Sequence, residues 1–314
     1  MLTKSVPLLK PRAVPPGSTL AVVSPASYPQ VEKVERAIAV LEEQGYRVKR
    51  GRHLLSRLAP YFAGSAEDRL ADLHWAFADP EVAGIICSRG GYGSNYLLEG
   101  LDLELVRANP KPLLGYSDLT TVQTWLLDQV GLVSFQGPML SGDFAREEGV
   151  DHVILNKVLS GEGVSYGASE GLRTLRPGTA SGVLYGGCLS ILVAAMGTRF
   201  APKTEGRLLF LEDVSAKPYQ VDRMLRQMLL GGKLDGVIGI VFGEMLDCVS
   251  HASEIALLED VILRVLKGLD VPIAIGLRSG HVSHANVTLP LGIRAELNLE
   301  GEPLLQMQEP AVYA

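Results

Sequence analysis

Cysteine is scarce in this chain: there are three in 314 residues, Cys87, Cys188 and Cys248, and none lies near another. That excludes a disulfide framework and argues against a cysteine-based zinc site. Aromatic residues are also few, at 6%, with two tryptophans, Trp75 and Trp125. Positive charge is in deficit. Lys and Arg number 29 against 35 Asp and Glu, a net charge of −6, and no basic stripe exists to track a nucleic acid. No apolar run approaches a membrane span, and the opening MLTKSVPLLKPRAVPPG holds none long enough for a signal peptide. Internal repeats and low-complexity tracts are missing too. The expectation left standing is a soluble cytoplasmic protein without nucleic-acid or membrane partners. Its apolar content of 47% over 314 residues is enough for two cores.

What is present is an alternation of strands and helices. Thr19–Ser24 reads as a buried strand, Val31–Gln44 as a helix ended by Gly45, and Tyr46–Lys49 as a second strand. Ser65-Ala66-Glu67-Asp68 is a capping box that opens a helix through Phe77, and Ala83–Cys87 is a third strand. Such alternation predicts a parallel sheet covered on both faces. A helix is expected near Val150–Leu159 and a linker over roughly Gly161–Pro177. Beyond it, strands are expected at Ala180–Tyr185, Gly206–Leu211, Val237–Phe242 and Val271–Ile275, with helices at Ile191–Met196, Pro218–Leu230 and Ser253–Leu266.

The stretch that carries chemistry is Lys111–Gln129. Pro112-Leu113-Leu114 reads as a strand end and Asp118–Gln129 as a helix, leaving no room between them for a relaxed loop. A strand passing straight into a helix pushes the turn residue, Ser117, out of the sheet edge beside a helix N-terminus. There a serine can act as a nucleophile, with the Asp118 N–H stabilising an oxyanion. Leu119 stands where the hydrolase elbow G-x-S-x-G has its second glycine. Ser117 also reads as an ordinary N-cap whose hydroxyl bonds the Thr120 N–H.

The third strand runs into Ser88-Arg89-Gly90-Gly91-Tyr92-Gly93-Ser94-Asn95 and then a helix. The glycines allow close backbone approach to a ligand, either a dinucleotide or an oxyanion, although neither G-x-G-x-x-G nor a P-loop lysine is met. Arg89 suits a substrate carboxylate, or else a structural ion pair. In the second half, Glu212-Asp213 follows the strand GRLLFL, and Gly280-His281-Val282-Ser283-His284 follows the last expected strand. His281 and His284 admit a metal reading without accompanying ligands, a triad reading in the order Ser…Glu…His, and a reading as surface histidines.

Together, Arg89–Asn95, Gly115-Tyr116-Ser117-Asp118-Leu119-Thr120, Leu211-Glu212-Asp213, Gly280-His281 with Asn286, and Leu289-Pro290-Leu291-Gly292 resemble one family. It is the LD-carboxypeptidases of serine peptidase family S66, which include the microcin C self-immunity peptidases. The resemblance covers essentially the whole chain. It implies a triad of Ser117, Glu212 and His281, an oxyanion hole of the Asp118 and Gly91 N–H groups, and weaker substrate contacts at Arg89 and Tyr92. His284 does not match the family histidine. Gln136 stands where many members have histidine, and Cys188 where asparagine commonly follows the paired glycines.

The expectation is therefore an α/β, two-domain fold: a flavodoxin-like, Rossmann-type parallel-sheet domain over 1–165 and a mixed α/β domain over 175–314, with the site in the cleft between them. The expected activity is removal of a terminal D-amino acid, D-Ala, from the L-centre of a murein tetrapeptide in cell-wall recycling, through an acyl-enzyme. No cofactor and no metal are expected. The partner is a small peptide substrate, and by resemblance the protein is a homodimer. Rival readings are an immunity-type peptidase acting on peptidyl or aminoacyl sulfamoyl-adenylates, and a non-catalytic nucleotide- or peptide-binding protein.

Overall fold

The computed structural model describes residues 6–251 and 254–314; the first five residues of the leader and the expected helix start at Ser253 lie outside them. The first half builds β1 (Thr19–Val23), α1 (Val31–Glu43), β2 (Arg47–Arg50), α2 (Ala66–Ala78), β3 (Gly84–Cys87), α3 (Leu103–Ala108), β4 (Leu113–Gly115), α4 (Thr120–Val130) and β5 (Ser134–Gln136). These strands run parallel in the order β2-β1-β3-β4-β5, the flavodoxin-like winding, whose ligand crevice lies at the carboxyl ends of the strands. β1, β3 and β4 are buried along their whole length, as strands covered on both faces must be. α1 turns Val34, Ala37, Ile38 and Leu41 inward, and the capping box of Ser65 and Asp68 opens α2 as its sequence predicts.

The remaining elements are α5 (His152–Ser160), β6 (Ser165–Tyr166), β7 (Arg173–Arg176), β8 (Thr179–Cys188), α6 (Leu189–Ala194), β9 (Arg207–Glu212), α7 (Pro218–Leu230), β10 (Gly239–Gly243), α8 (Ile255–Val265), β11 (Ile273–Leu277), β12 (Leu289–Leu291), β13 (Arg294–Asn298) and β14 (Leu304–Met307). Eight of these strands form a second sheet, β6-β14-β13-β8-β9-β10-β11-β7, parallel from β8 to β11 and antiparallel at its flanks. β12 leaves this half and pairs antiparallel with β5, so the late chain closes the first sheet. One apolar cluster joins Leu114 and Phe135 of the first sheet with Leu184 and Phe210 of the second.

Three sequence expectations change. The expected linker at 161–177 contains β6 and β7, both paired into the second sheet. Its polar composition reflects edge strands with one wet face. β8 continues through Gly186-Gly187-Cys188, past its expected end at Tyr185. A Cβ on Gly186 would lie 2.0 Å from Phe210 O, so the glycine marks close strand approach rather than a turn. After the glycine loop, the expected helix is a single 3-10 turn, Ser94–Leu97.

Candidate active site

Ser117 stands where β4 ends and α4 begins. Only Tyr116 separates it from Gly115, and residues 117–119 form a 3-10 turn that runs directly into the helix. Its φ is +63°, a left-handed conformation that costs an L-residue roughly 1–2 kcal/mol. Gln123 braces this bend from behind, its Nε2 donating to Gly115 O at 2.9 Å and Phe135 O at 3.0 Å. The N-cap reading of Ser117 does not hold. Among the described residues no side chain caps the turn or the helix, and the Thr120 N–H goes to the Ser117 carbonyl.

The loop after β3 lies against the serine. A Cβ on Gly90 would sit 2.7 Å from Ser117 Cβ, 2.9 Å from its Oγ and 3.2 Å from the Asp118 nitrogen. Only a glycine lets the loop approach the Ser117 side chain and the Asp118 N–H at once. Several contacts fix this approach. The Ser27 N–H donates to Gly90 O at 3.2 Å, and the Tyr92 N–H donates to Ser27 Oγ at 3.1 Å. The Ser94 N–H donates to Asp118 Oδ2 at 2.7 Å, and Ser94 Oγ donates to Asp118 O at 2.5 Å. Arg69, 3% exposed, donates to Pro25 O at 2.8 Å and Gly93 O at 2.6 Å while its guanidinium stacks over Phe62. Burial raises the Asp118 carboxyl above its ordinary value, against the opposing effect of the Ser94 bonds and the Arg69 charge.

Glu212 is the last residue of β9 and is 0% exposed. Its Oε2 accepts two hydrogen bonds from His281, from the backbone N–H at 3.0 Å and from Nδ1 at 2.7 Å. A carboxylate oxygen only accepts, so Nδ1 carries the proton and Nε2 is left as the basic nitrogen. Asn286 clamps the histidine loop, its Oδ1 accepting from the Gly280 N–H at 3.1 Å and its Nδ2 donating to Gly280 O at 3.0 Å. Tyr116 meets the imidazole edge-on, centroids 5.0 Å apart. Burial by itself would push His281 down. The charge and hydrogen bond of Glu212, with Asp213 and Asp143 farther off, carry it above its ordinary value instead.

Ser117 and His281 line one cleft of about 360 Å³ with Gly90, Gly91, Arg89 and Lys33. The structure thus brings together Ser117, Asp118, Gly91, Arg89, Glu212 and His281. Arg89 donates to Tyr28 O at 3.3 Å and forms no ion pair among the described residues. Tyr92 does not line this cleft. It joins Tyr61, Phe62 and Tyr96 in an exposed aromatic cluster and lines a neighbouring cavity of about 390 Å³. His284 is exposed, and its carbonyl accepts from Arg146 Nη2 at 3.1 Å. Among the described residues no cluster of three or more His, Cys, Asp or Glu could hold a metal.

Gln136 is buried at the end of β5. Cys188 faces Glu212 in the β8–β9 register, its N–H donating to Thr120 Oγ1 at 3.0 Å. Burial drives the Cys188 thiol well above its ordinary value, which leaves it protonated and inert. Sequence reasoning missed Lys33, which looks like any solvated helix cation. It also missed Arg69, whose burial follows from a loop folding over α2 that no local pattern announces.

A doubly wound sheet that presents a strained serine at its carboxyl edge, beside a histidine held by a buried glutamate from a second sheet, defines a serine-hydrolase class of two-domain α/β protein. Comparison with known proteins narrows that class. The LD-carboxypeptidase N-terminal domain matches residues 20–137 and the LD-carboxypeptidase C-terminal domain residues 181–297, so the chain belongs to the LD-carboxypeptidase family of serine peptidases. It is 38% identical over 293 residues to the "Probable murein peptide carboxypeptidase" of Bacillus subtilis, covering 92% of this chain and 91% of that protein. It is also 26% identical to the microcin C7 self-immunity protein MccF of Escherichia coli, covering 96% of each. The crystal structure of muramoyltetrapeptide carboxypeptidase from Oxalobacter formigenes superposes with a TM-score of 0.84 at 28% identity, over 95% of this chain and 100% of that one. The protein is a serine-type LD-carboxypeptidase, and the non-catalytic binding reading falls away. Among the described residues no helix is long and apolar enough to cross a membrane.

Proposed function

We propose that Ser117, Glu212 and His281 form the catalytic triad, and that the substrate is a muropeptide stem whose terminal D-residue, D-Ala, is released from an L-centre. The observation that carries this reading is the double hold of Glu212 Oε2 on His281, which leaves Nε2 free on the cleft that Ser117 lines. His281 Nε2 takes the Ser117 proton as Oγ attacks the scissile carbonyl. The N–H groups of Asp118 and Gly91 receive the oxyanion. The C–N bond then breaks, with the proton passing from Nε2 to the departing amine. Water attacks the resulting ester by the same route in reverse, regenerating Ser117. Arg89 and Lys33 supply the positive charge that the terminal carboxylate of such a substrate requires.

The carboxypeptidase names of relatives support the muropeptide stem as substrate. A second reading, cleavage of an aminoacyl sulfamoyl-adenylate, draws on the likeness to MccF and on the exposed tyrosines Tyr61, Tyr92 and Tyr96, whose rings can stack a base. The organisation proposed for the working enzyme is a unit over 1–165 and a unit over 175–314, with the intervening stretch adding β6 and β7 to the second unit's sheet edges, in a homodimer acting in the cytoplasm without metal or cofactor.

A release assay decides between the substrates. An L,D-tetrapeptide is cleaved and the matching L,L-peptide is not, because oxyanion donors aimed at one carbonyl orientation misplace the other enantiomer. Comparable rates on both peptides would overturn the stereochemical assignment, and faster cleavage of a sulfamoyl-adenylate would favour the second reading. Ser117→Ala and His281→Ala abolish release, whereas His284→Ala costs roughly tenfold or less, since its side chain is exposed and off the cleft.

A further inference from the structure

Behind the triad lies a buried amide that the chemistry above does not use. Gln136 and Glu212 are both 0% exposed. Among the described residues, neither amide atom of Gln136 has a hydrogen-bond partner, and neither has Glu212 Oε1, the oxygen that does not serve His281. The two side chains meet at Gly280. A Cβ there would lie 2.8 Å from Gln136 Nε2, 2.8 Å from Glu212 Oε2 and 2.7 Å from Glu212 Cδ. The Gln136 backbone is fixed by pairing with Gly115 on one side and Leu289 on the other, and its carbonyl accepts from Ser279 Oγ at 3.4 Å. An unpaired amide donor and a carboxylate with one unpaired oxygen thus lie buried around the same glycine, where each group left unsatisfied costs about 1–3 kcal/mol.

We propose that Gln136 is a positioning residue for the catalytic acid: its Nε2–H₂ group serves Glu212 Oε1 through one bridging water, which keeps Oε2 turned to His281. A bridging water needs roughly two to four polar partners, and the unpaired amide of Gln136 and Oε1 of Glu212 supply them. A neutral donor is the right chemistry. It orients the carboxylate without cancelling the charge that the imidazolium needs, as a cation there would. The inference rests on the triad reading above. The other titratable groups around Glu212 and His281 are Tyr116 after β4, Asp143 in the turn at 140–144, Cys188 closing β8, Asp213 beside the acid, and Cys248.

The test compares wild type with Gln136→Met and Gln136→Glu in the peptide-release assay across pH, with thermal unfolding as the folding control. Gln136→Met lowers kcat by roughly tenfold to a hundredfold with KM within about twofold, the scale of other outer-shell orienting groups. In Gln136→Glu the introduced carboxyl has a raised pKa from burial and from Glu212. While protonated it still donates; once ionised it repels the acid. The variant therefore loses activity on the alkaline side, at an inflection that wild type lacks. A packing role would not produce that inflection. If Gln136→Met does not fold, the pH profile of Gln136→Glu carries the decision. A folded Gln136→Glu with the wild-type profile, or a folded Gln136→Met with wild-type kcat, overturns the inference. Ser117→Ala separates the two levels: a dead Ser117→Ala beside normal Gln136 variants sinks this inference alone, whereas an active Ser117→Ala sinks the triad.

Discussion

Glu212 serves one histidine twice, through backbone and ring, and those two hydrogen bonds fix both the tautomer and the place of the imidazole. Glu212→Gln keeps the shape but loses the charge that stabilises the imidazolium, so kcat falls by roughly two to four orders of magnitude with the fold intact. Asp213 is the control. Its carboxylate accepts the Ser190 and Val214 N–H groups instead, so Asp213→Asn acts on stability before turnover. Full activity in Glu212→Gln with none in Asp213→Asn would reverse the assignment. The pH profile follows from the same pair. In the proposed triad His281 works as a neutral base, and its pKa is raised, so activity should climb with pH through a midpoint above about 6.5. Glu212→Gln moves that midpoint down, because the charge that raised it is gone. For stability the sign is opposite: protonated His281 favours the fold, fully below the unfolded histidine pKa, and the benefit fades as pH rises through the folded value.

At the scale of elements, the elbow between β4 and α4 and the loop after β3 work as one unit. The loop contributes no side chain to the proposed triad, yet it sets the space around Ser117. Gly90→Ala places a methyl within 2.7–2.9 Å of the serine side chain. Kinetics should show at least a hundredfold loss of kcat, on the order of what displacing one oxyanion donor costs, while circular dichroism stays native. Normal turnover in this variant would mean that the loop can retreat without consequence. The stretch Gly115–Thr120 was legible because a strand end and a helix start left no spare residues. The grip of Arg69 on the carbonyls of Pro25 and Gly93 was not, since it joins α2 to two loops distant in sequence.

Across the whole molecule, the seam between the halves is polar as well as apolar. Tyr185 of β8 donates to Asp128 Oδ2 of α4 at 2.9 Å, while Asp128 Oδ1 is buried without a partner among the described residues. Burial pushes the Asp128 carboxyl up to about 6. A raised carboxyl favours the fold fully below its unfolded pKa and loses that contribution as pH rises to about 6. Above that, the buried charge is a burden. Asp128→Asn should therefore raise the melting temperature at pH 8, by roughly 1–3 kcal/mol of stability, and do little at pH 4. An equal change at both pH values would place the effect in packing rather than charge.

The sequence by itself determined the alternation of strands and helices, the turn that exposes Ser117, and the family motifs at Glu212 and His281. Each is a short-range pattern of spacing, capping or glycine use. Only the tertiary structure decided that β8 runs on through Gly186-Gly187-Cys188, that the stretch 161–177 carries edge strands, and that β12 returns to close the first sheet. It also decided that Tyr92 turns toward a neighbouring cavity and that the Gln136 amide lies buried near Glu212 without a partner among the described residues. The physical reason is common to all of these. Which face a side chain takes, and what a glycine makes room for, depends on neighbours brought together across the chain, and those neighbours leave no mark on the local sequence.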